Sequence, residues 1–478
     1  MAMRGIGAAL GVLAMLSGCG GGGSDSAGGG SIITGPGTPP TSPSATCSLK
    51  ARQDWVAGQL REWYLFADTL PASLDPAPYR TVDDYIDALT ATARSQGRDR
   101  YFTYLTSIAE EDAYYQSGSS AGFGFRLLYD TSAGRVYVAE SYEGTPALNG
   151  GVDRGAEIVA IGASTANLRT VSDIMASGGA QGVVDALGPS SVGTARVLRV
   201  ADASGTRTVT LTKTDYSLTP VSSRYGARIL DDGGRKVGYV NLRTFIDTAD
   251  PALREAFQGF RTAGVTEIIV DLRYNGGGLV SIGELLGDLM GGNRFASDIF
   301  SYTSFRPEKS AYNETRNFQP QAQSIAPTRV AFIGTGGTAS ASEMVINAFI
   351  PYLRANAALI GTNTYGKPVG QIALDLSACD DRLRVIAFAV ENAARNADYF
   401  GGLAGSMDVS CRAPDDLTHP LGDPQEASIR QALDFLAGRS CTPVTTGRSA
   451  RAVATTAPRE LLSPLRPDTT QRETPGTF

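Results

Sequence analysis

The chain is 478 residues long, with 42% hydrophobic and 19% charged residues, a formal net charge of −6 and one histidine, His419. The acidic balance and the lack of a basic run interleaved with aromatics argue against a nucleic-acid partner. A Ser-His-Asp triad would have to be built on His419 alone, and no cysteine stands at metal-ligand spacing, so a zinc site is not expected; the chemistry read from the residues below requires no metal or organic cofactor.

The first residues read as an export signal. Arg4 supplies a positive charge, and Ile6 to Leu16 form an apolar stretch too short to span a bilayer with comfort. Leu16-Ser17-Gly18-Cys19 resembles a bacterial lipobox, which implies cleavage after residue 18 and a lipid on Cys19 that anchors the protein to a membrane. Residues 19–46 then form a flexible linker rich in Gly, Ser, Thr and Pro. Gly20 is not an acidic sorting residue, which favours the outer over the inner membrane of a cell envelope, with the body facing the periplasm or exterior. Cys47, Cys379, Cys411 and Cys441 are even in number and suit an oxidising compartment. The expected pairing is Cys379–Cys411 and Cys47–Cys441.

About 400 residues remain for the folded body, enough for two or three domains. Residues 47–117 read as helical: Trp55, Val56, Leu60, Trp63 and Tyr64 recur at helical spacing, and a second helix near 82–95 carries Tyr85, Ile86 and Leu89. Residues 118–219 are short strands and turns. Gly122-Phe123-Gly124-Phe125, Gly144-Thr145-Pro146-Ala147 and Gly151 to Ile161 together resemble a PDZ domain, β-rich and peptide-binding. The first of these would present backbone N–H groups to a peptide carboxylate while a strand edge takes up the peptide. Residues 162–193 are long for such a domain and suggest an inserted loop.

Residues 220–441 alternate strands and helices, the pattern of an α/β core. Strands are expected at 237–242, 267–273, 329–334 and 358–361, and helices at 251–263, from 282, and from 340 until Pro351 disturbs it. Residues 442–478, rich in Thr, Arg and Pro without apolar periodicity, read as a disordered tail.

Chemistry concentrates in the α/β core. Ser340 stands at a helix N-terminus, where free N–H groups and the helix dipole favour a developing oxyanion. Ser340-Ala341-Ser342-Glu343 is also a capping box, a purely local role that a nucleophile can share. Lys367 lies in a stretch nearly free of charge, and burial would lower its pKa enough to make it a base. Gln371, four residues on, can aim the amine. Glycines after Asn275 can bring an N–H close to a scissile carbonyl.

Three ordered motifs now coincide: Asp271 to Gly278, Thr338 to Glu343, and Tyr365-Gly366-Lys367 with Gln371. Together they resemble the carboxyl-terminal processing, or tail-specific, protease family of Ser/Lys peptidases, over most of residues 47–438. The resemblance implies an α/β multidomain protein with a crotonase-like catalytic core, and endoproteolysis near the C-termini of polypeptide substrates. It implies Ser340 rather than Ser342 as nucleophile, Lys367 as general base, Gln371 as its orienter, and Gly277 with Ala341 as oxyanion donors, Gly276 being the substitute for Gly277. Two departures stand out: the interval from serine to lysine is about two residues long for the family, as though Pro351 to Asn356 held an insertion, and Pro368 follows the lysine in place of glycine. The rival readings are a catalytically silent binder of C-terminal peptides and a hydrolase of small esters.

Overall fold

Alternating apolar runs build the central sheet of the computed structural model, which describes residues 45–445 and 459–478. The expected signal, Cys19 and nearly all of the linker lie outside the described residues. Six strands lie in the order Ala227–Asp232, Arg235–Asn241, Glu267–Asp271, Arg329–Gly334, Ala357–Gly361 and Val409–Arg412, parallel except for the first pair. The two-residue period of a strand sends Ile268, Val270, Val330 and Phe332 to one face and Ile269, Ala331 and Ile333 to the other. Helices Ala249–Thr262, Val280–Met290 and Ala341–Leu353 cover the first face, and Ala427–Leu436 covers the second. The helix from Ala341 runs through Pro351 to Leu353, two residues beyond the expected disturbance.

A second sheet carries the lysine side of the site. Its central strand, Asp381–Glu391, pairs along one edge with Val369–Leu376 and along the other with Tyr104–Ser107 and Ile299–Phe305. The N-terminal helices Leu49–Trp63 and Val82–Leu89 bury Val56, Leu60, Tyr85 and Ile86 against Val369, Leu383 and Val385 of that sheet. Ser48 and Thr81 cap the two helices, each side-chain oxygen accepting a backbone N–H three residues on.

The region 118–219, for which a PDZ-like domain is expected, is built on an antiparallel sheet of Phe125–Asp130, Arg135–Ser141, Glu157–Gly162, Ala195–Asp202 and Gly205–Thr212. The long segment 162–193 holds no inserted loop. It is mostly the helix Val171–Leu187, lengthened by a break at Gly179 (φ 62°, ψ −155°), a backbone conformation open mainly to glycine. This region meets the α/β core through buried charge: Arg243 donates to Glu140 (2.6 Å) and Glu143 (2.8 Å), and Arg126 donates to Glu140 (3.0 Å).

Two further expectations are corrected. The disulfides are Cys47–Cys379 and Cys411–Cys441. Docking the first helix on the second sheet places Cys47 beside the turn after Leu376, while Cys411 ends an edge strand next to the exit of the last core helix. The tail is not structureless in its second half. Glu460–Leu461 pairs antiparallel with Leu128 and Tyr129, and Thr469–Glu473 is a helical turn capped by Asp468. Its few apolar residues are too widely spaced to make a pattern, yet Leu462 and Phe478 are both buried in the PDZ-like core.

Candidate active site

Ser340 sits between the strand Arg329–Gly334 and the helix Ala341–Leu353, with φ 55° and ψ −118°. This is a costly conformation for a residue with a Cβ, held by its surroundings, and it matches the sharp strand-to-helix turn that exposes a nucleophile. The turn is pinned on both sides. Thr338 donates its hydroxyl to the Leu272 carbonyl (2.7 Å) and Ala339 its N–H to the Asn275 carbonyl (3.1 Å). Ser342 is fully buried and donates its hydroxyl to that same Asn275 carbonyl (3.0 Å), so its oxygen serves the fold.

Glu343 does more than cap. Its buried carboxylate accepts the N–H groups of Ser340 (3.2 Å), Gly366 (2.7 Å) and Lys367 (2.7 Å). One side chain thus fastens the serine turn to the lysine loop. Burial pushes its pKa up to about 7, against the pull of those N–H donors and Thr364. The Ser-x-x-Glu spacing points to the first contact only; the other two arise across 23 and 24 residues of sequence.

Lys367 is half-buried, and its Nζ donates to Gln371 Oε1 (2.7 Å). Gln371 in turn donates to the Phe102 carbonyl, and the Phe102 ring centroid lies 5.2 Å from the ammonium. The helical region, in which nothing catalytic stood out from sequence, therefore aims the amine. Burial pushes the Lys367 pKa down to about 8; Arg472 and Arg384 add to this, while Glu473 and Asp99 oppose it. Gln371 receives the amine, and no hydrogen bond joins the amine to the Ser340 hydroxyl.

The glycine loop divides its labour. Gly277 donates its N–H to Asn275 Oδ1 (2.9 Å). A Cβ at Gly277 (φ 126°) would stand 2.7 Å from the Ser340 Cβ, so this glycine is needed for close approach. The N–H of Gly276 instead donates to a peptide carbonyl, that of Glu473 (2.8 Å). The geometry therefore favours Gly276 over the expected Gly277 as a carbonyl donor. Ala341 is the first residue of its helix, where the N–H has no partner within the helix. Lys367, Gly276, Ala339 and Tyr365 line a cavity of about 1380 Å³, with residues 459–461, 463–467, 471–473 and 475 supplying much of the rest of its wall.

Gly122, Phe123, Gly124 and Phe125 lie at the start of the PDZ-like sheet, away from this cavity's lining. Gly124 (φ 79°) packs so tightly on Thr145 that a Cβ there would overlap it at 2.2 Å. The N–H groups of Gly124 and Phe125 both point to the carbonyl oxygen of Phe478, at 2.9 and 3.4 Å. Among the described residues no helix is long and apolar enough to cross a membrane, and no cluster of His, Cys, Asp or Glu could hold a metal ion.

The α/β core thus carries a serine at a strained helix entry, a lysine whose pKa burial lowers, and a glycine loop whose N–H holds a peptide carbonyl. Residues 236–397 match Peptidase family S41. The chain is 31% identical over 276 residues to a chloroplastic C-terminal processing peptidase of Tetradesmus obliquus, covering 55% of this chain and 54% of the relative. It is 25% identical over 361 residues to the chloroplastic carboxyl-terminal-processing peptidase 3 of Arabidopsis thaliana, covering 74% and 65%. The chain thus spans about half to two thirds of the length of these relatives. A crystal structure described as an S41 protease from Bacteroides fragilis shares the fold, with a TM-score of 0.61 at 22% identity, over 80% of this chain and 97% of that one.

Proposed function

We propose that the protein is an exported serine endopeptidase that cleaves polypeptides near their C-termini. The observation that carries this reading is a polypeptide carbonyl, that of Glu473, held by the Gly276 N–H in the cavity lined by Lys367 and by Ala339, the residue before Ser340. Neutral Lys367 takes the Ser340 proton as Oγ attacks the scissile carbonyl carbon. The N–H groups of Gly276 and Ala341 hold the oxyanion. Collapse of the tetrahedral intermediate breaks the C–N bond, Lys367 returns its proton to the leaving amine, and water hydrolyses the acyl-enzyme with Lys367 again as base. Gln371 keeps the amine in place between these steps. The loop 122–125 and the edge of Phe125–Asp130 grip the substrate's tail.

Two disulfides support an oxidising compartment and hence export. A lipid on Cys19 would tether the enzyme to a bacterial membrane, the outer one by preference. The test is a peptidase assay on an unstructured polypeptide with mass-spectrometric mapping of the cuts. Cleavage that disappears in both Ser340→Ala and Lys367→Ala is expected. Undiminished cleavage by Ser340→Ala refutes the assignment, and tight peptide binding without cleavage by the unaltered chain identifies a silent binder.

A further inference from the structure

The segment 459–478 visits both halves of the proposed machinery in turn. Glu460–Leu461 joins the edge of Phe125–Asp130, and Leu462 drops into the PDZ-like core. The chain then crosses the N-terminal helices, where Arg466 reaches Asp84 (2.6 Å). Residues Thr469–Glu473 form one helical turn over the cleft, with Arg472 stacked 3.6 Å from the Tyr104 ring centroid and Glu473 bonded to Gly276. Beyond it the backbone returns to the same strand edge. Gly476 accepts the Leu127 N–H (2.8 Å), Thr477 pairs with Arg126, and Phe478 both donates to and accepts from the 124–125 backbone. The Thr477 hydroxyl meets that of Tyr142 (2.7 Å), and the Phe478 ring is buried with Phe123, Phe125 and Val183.

The end of this segment is bound as a peptide is bound by β-augmentation: main-chain bonds along an edge and one side chain in an apolar pocket. The part over the cleft is held differently. Its backbone is helical, and the N–H of Thr474, the amide that follows the Glu473 carbonyl, donates to Thr470 (2.7 Å). Attack at Glu473 would have to free that amide as the leaving group while it is tied into the helical turn. The Glu473 carboxyl accepts from Tyr115 (3.0 Å) and faces Lys367, favouring the charged amine, which cannot take a proton.

We propose that residues 459–478 are a resident pseudosubstrate. They hold the peptide groove and cover the cleft in cis, and polypeptides that carry a hydroxyl side chain followed by a large apolar one displace them. The groove half of this inference stands without catalysis; the cleft half rests on the peptidase reading.

The experiment separates them. In a Ser340→Ala background, binding of a fluorescent peptide with the sequence of residues 471–478 is measured by polarisation, with and without residues 459–478. Deletion should strengthen binding at least tenfold, and Phe478→Asp in the full-length chain, which keeps the rest of the segment, should do the same if the deletion fails to fold. In the active background both changes should raise kcat/KM on an unstructured polypeptide, and a free peptide of residues 459–478 should reverse the gain for the deletion. Unchanged peptide binding in both variants overturns the proposal. So does Ser340-dependent release of the segment from the intact protein, which would make it a substrate. Stronger binding with no cleavage by any variant sustains the docking and removes the peptidase reading instead.

Discussion

The proposed peptide groove and the proposed catalytic cleft receive the same segment of chain in opposite ways. In the groove, residues 476–478 leave a turn and are held by backbone N–H and C=O groups of the strand edge. Such bonds are indifferent to side chains, so any chain with a fitting last residue can compete for them. In the cleft, residues 469–473 keep their own helical bonds and offer one carbonyl to Gly276. The groove is thus built for exchange, and the cleft is built around a few groups whose positions cannot vary. Substitutions in the two places should therefore separate binding from turnover.

The largest separation is expected at the dyad. Ser340→Ala and Lys367→Ala should each lower kcat/KM by about 10³-fold or more while leaving peptide affinity in the groove unchanged, read by progress curves and polarisation side by side. Ser342→Ala, which gives up one buried hydrogen bond to Asn275, should cost about 1 kcal/mol of stability and spare the chemistry. Next is Glu343→Gln. A neutral amide cannot accept three N–H donors as the carboxylate does, so the serine turn and lysine loop lose their common support. A drop in kcat of about 10²-fold with little change in groove binding is expected, since small misplacements of reacting groups carry such penalties. A matching loss of groove affinity would show that the two regions are not separable.

A third test works through the scaffold. The Cys47–Cys379 bond joins the start of the first helix to the turn after Val369–Leu376, the strand that carries Gln371. Replacing both cysteines by serine should lower stability by about 2–5 kcal/mol in chemical denaturation and reduce turnover before it affects the groove. The smallest effect is electrostatic. Lys367 must be neutral to act, so kcat/KM should rise with pH through about 8 and fall as the amine protonates below it. Of the charges around the amine, Glu473 and Asp99 raise its pKa, while Arg472 and Arg384 lower it. Glu473→Gln should therefore move the acid limb to lower pH; a shift the other way would mean the carboxylate does not face the amine.

Local patterns announced the parts whose physics is local. The alternation of apolar residues gave the central strands and the Ser-x-x-Glu spacing gave the helix start, while the order of three motifs proposed Ser340, Lys367 and Gln371 as candidates. What escaped depends on contacts distant in sequence. Glu343 holds Lys367 only because two strands bring the loop back over the helix. Phe102 supports Gln371 across 269 residues. The choice between Gly276 and Gly277 turns on where the Asn275 side chain points, and cysteine pairing on how a helix docks. The second half of the tail was hidden because its anchors, Leu461, Leu462, Arg466 and Phe478, obey no period of their own; they match a surface already formed.

The shared grip of Glu343 bears on how this chain could tolerate a change of length. Both reactive segments are fastened to one carboxylate at the near end of the helix Ala341–Leu353, some 20 Å from its far end at 1.5 Å per residue. The extra residues expected around 351–356 fall at that far end, in the turn Arg354–Asn356. Lengthening the interval there moves neither end, because the loop is measured from its anchor and not along its contour. Insertions and deletions at that turn are where this protein and its relatives could drift apart while keeping the same chemistry.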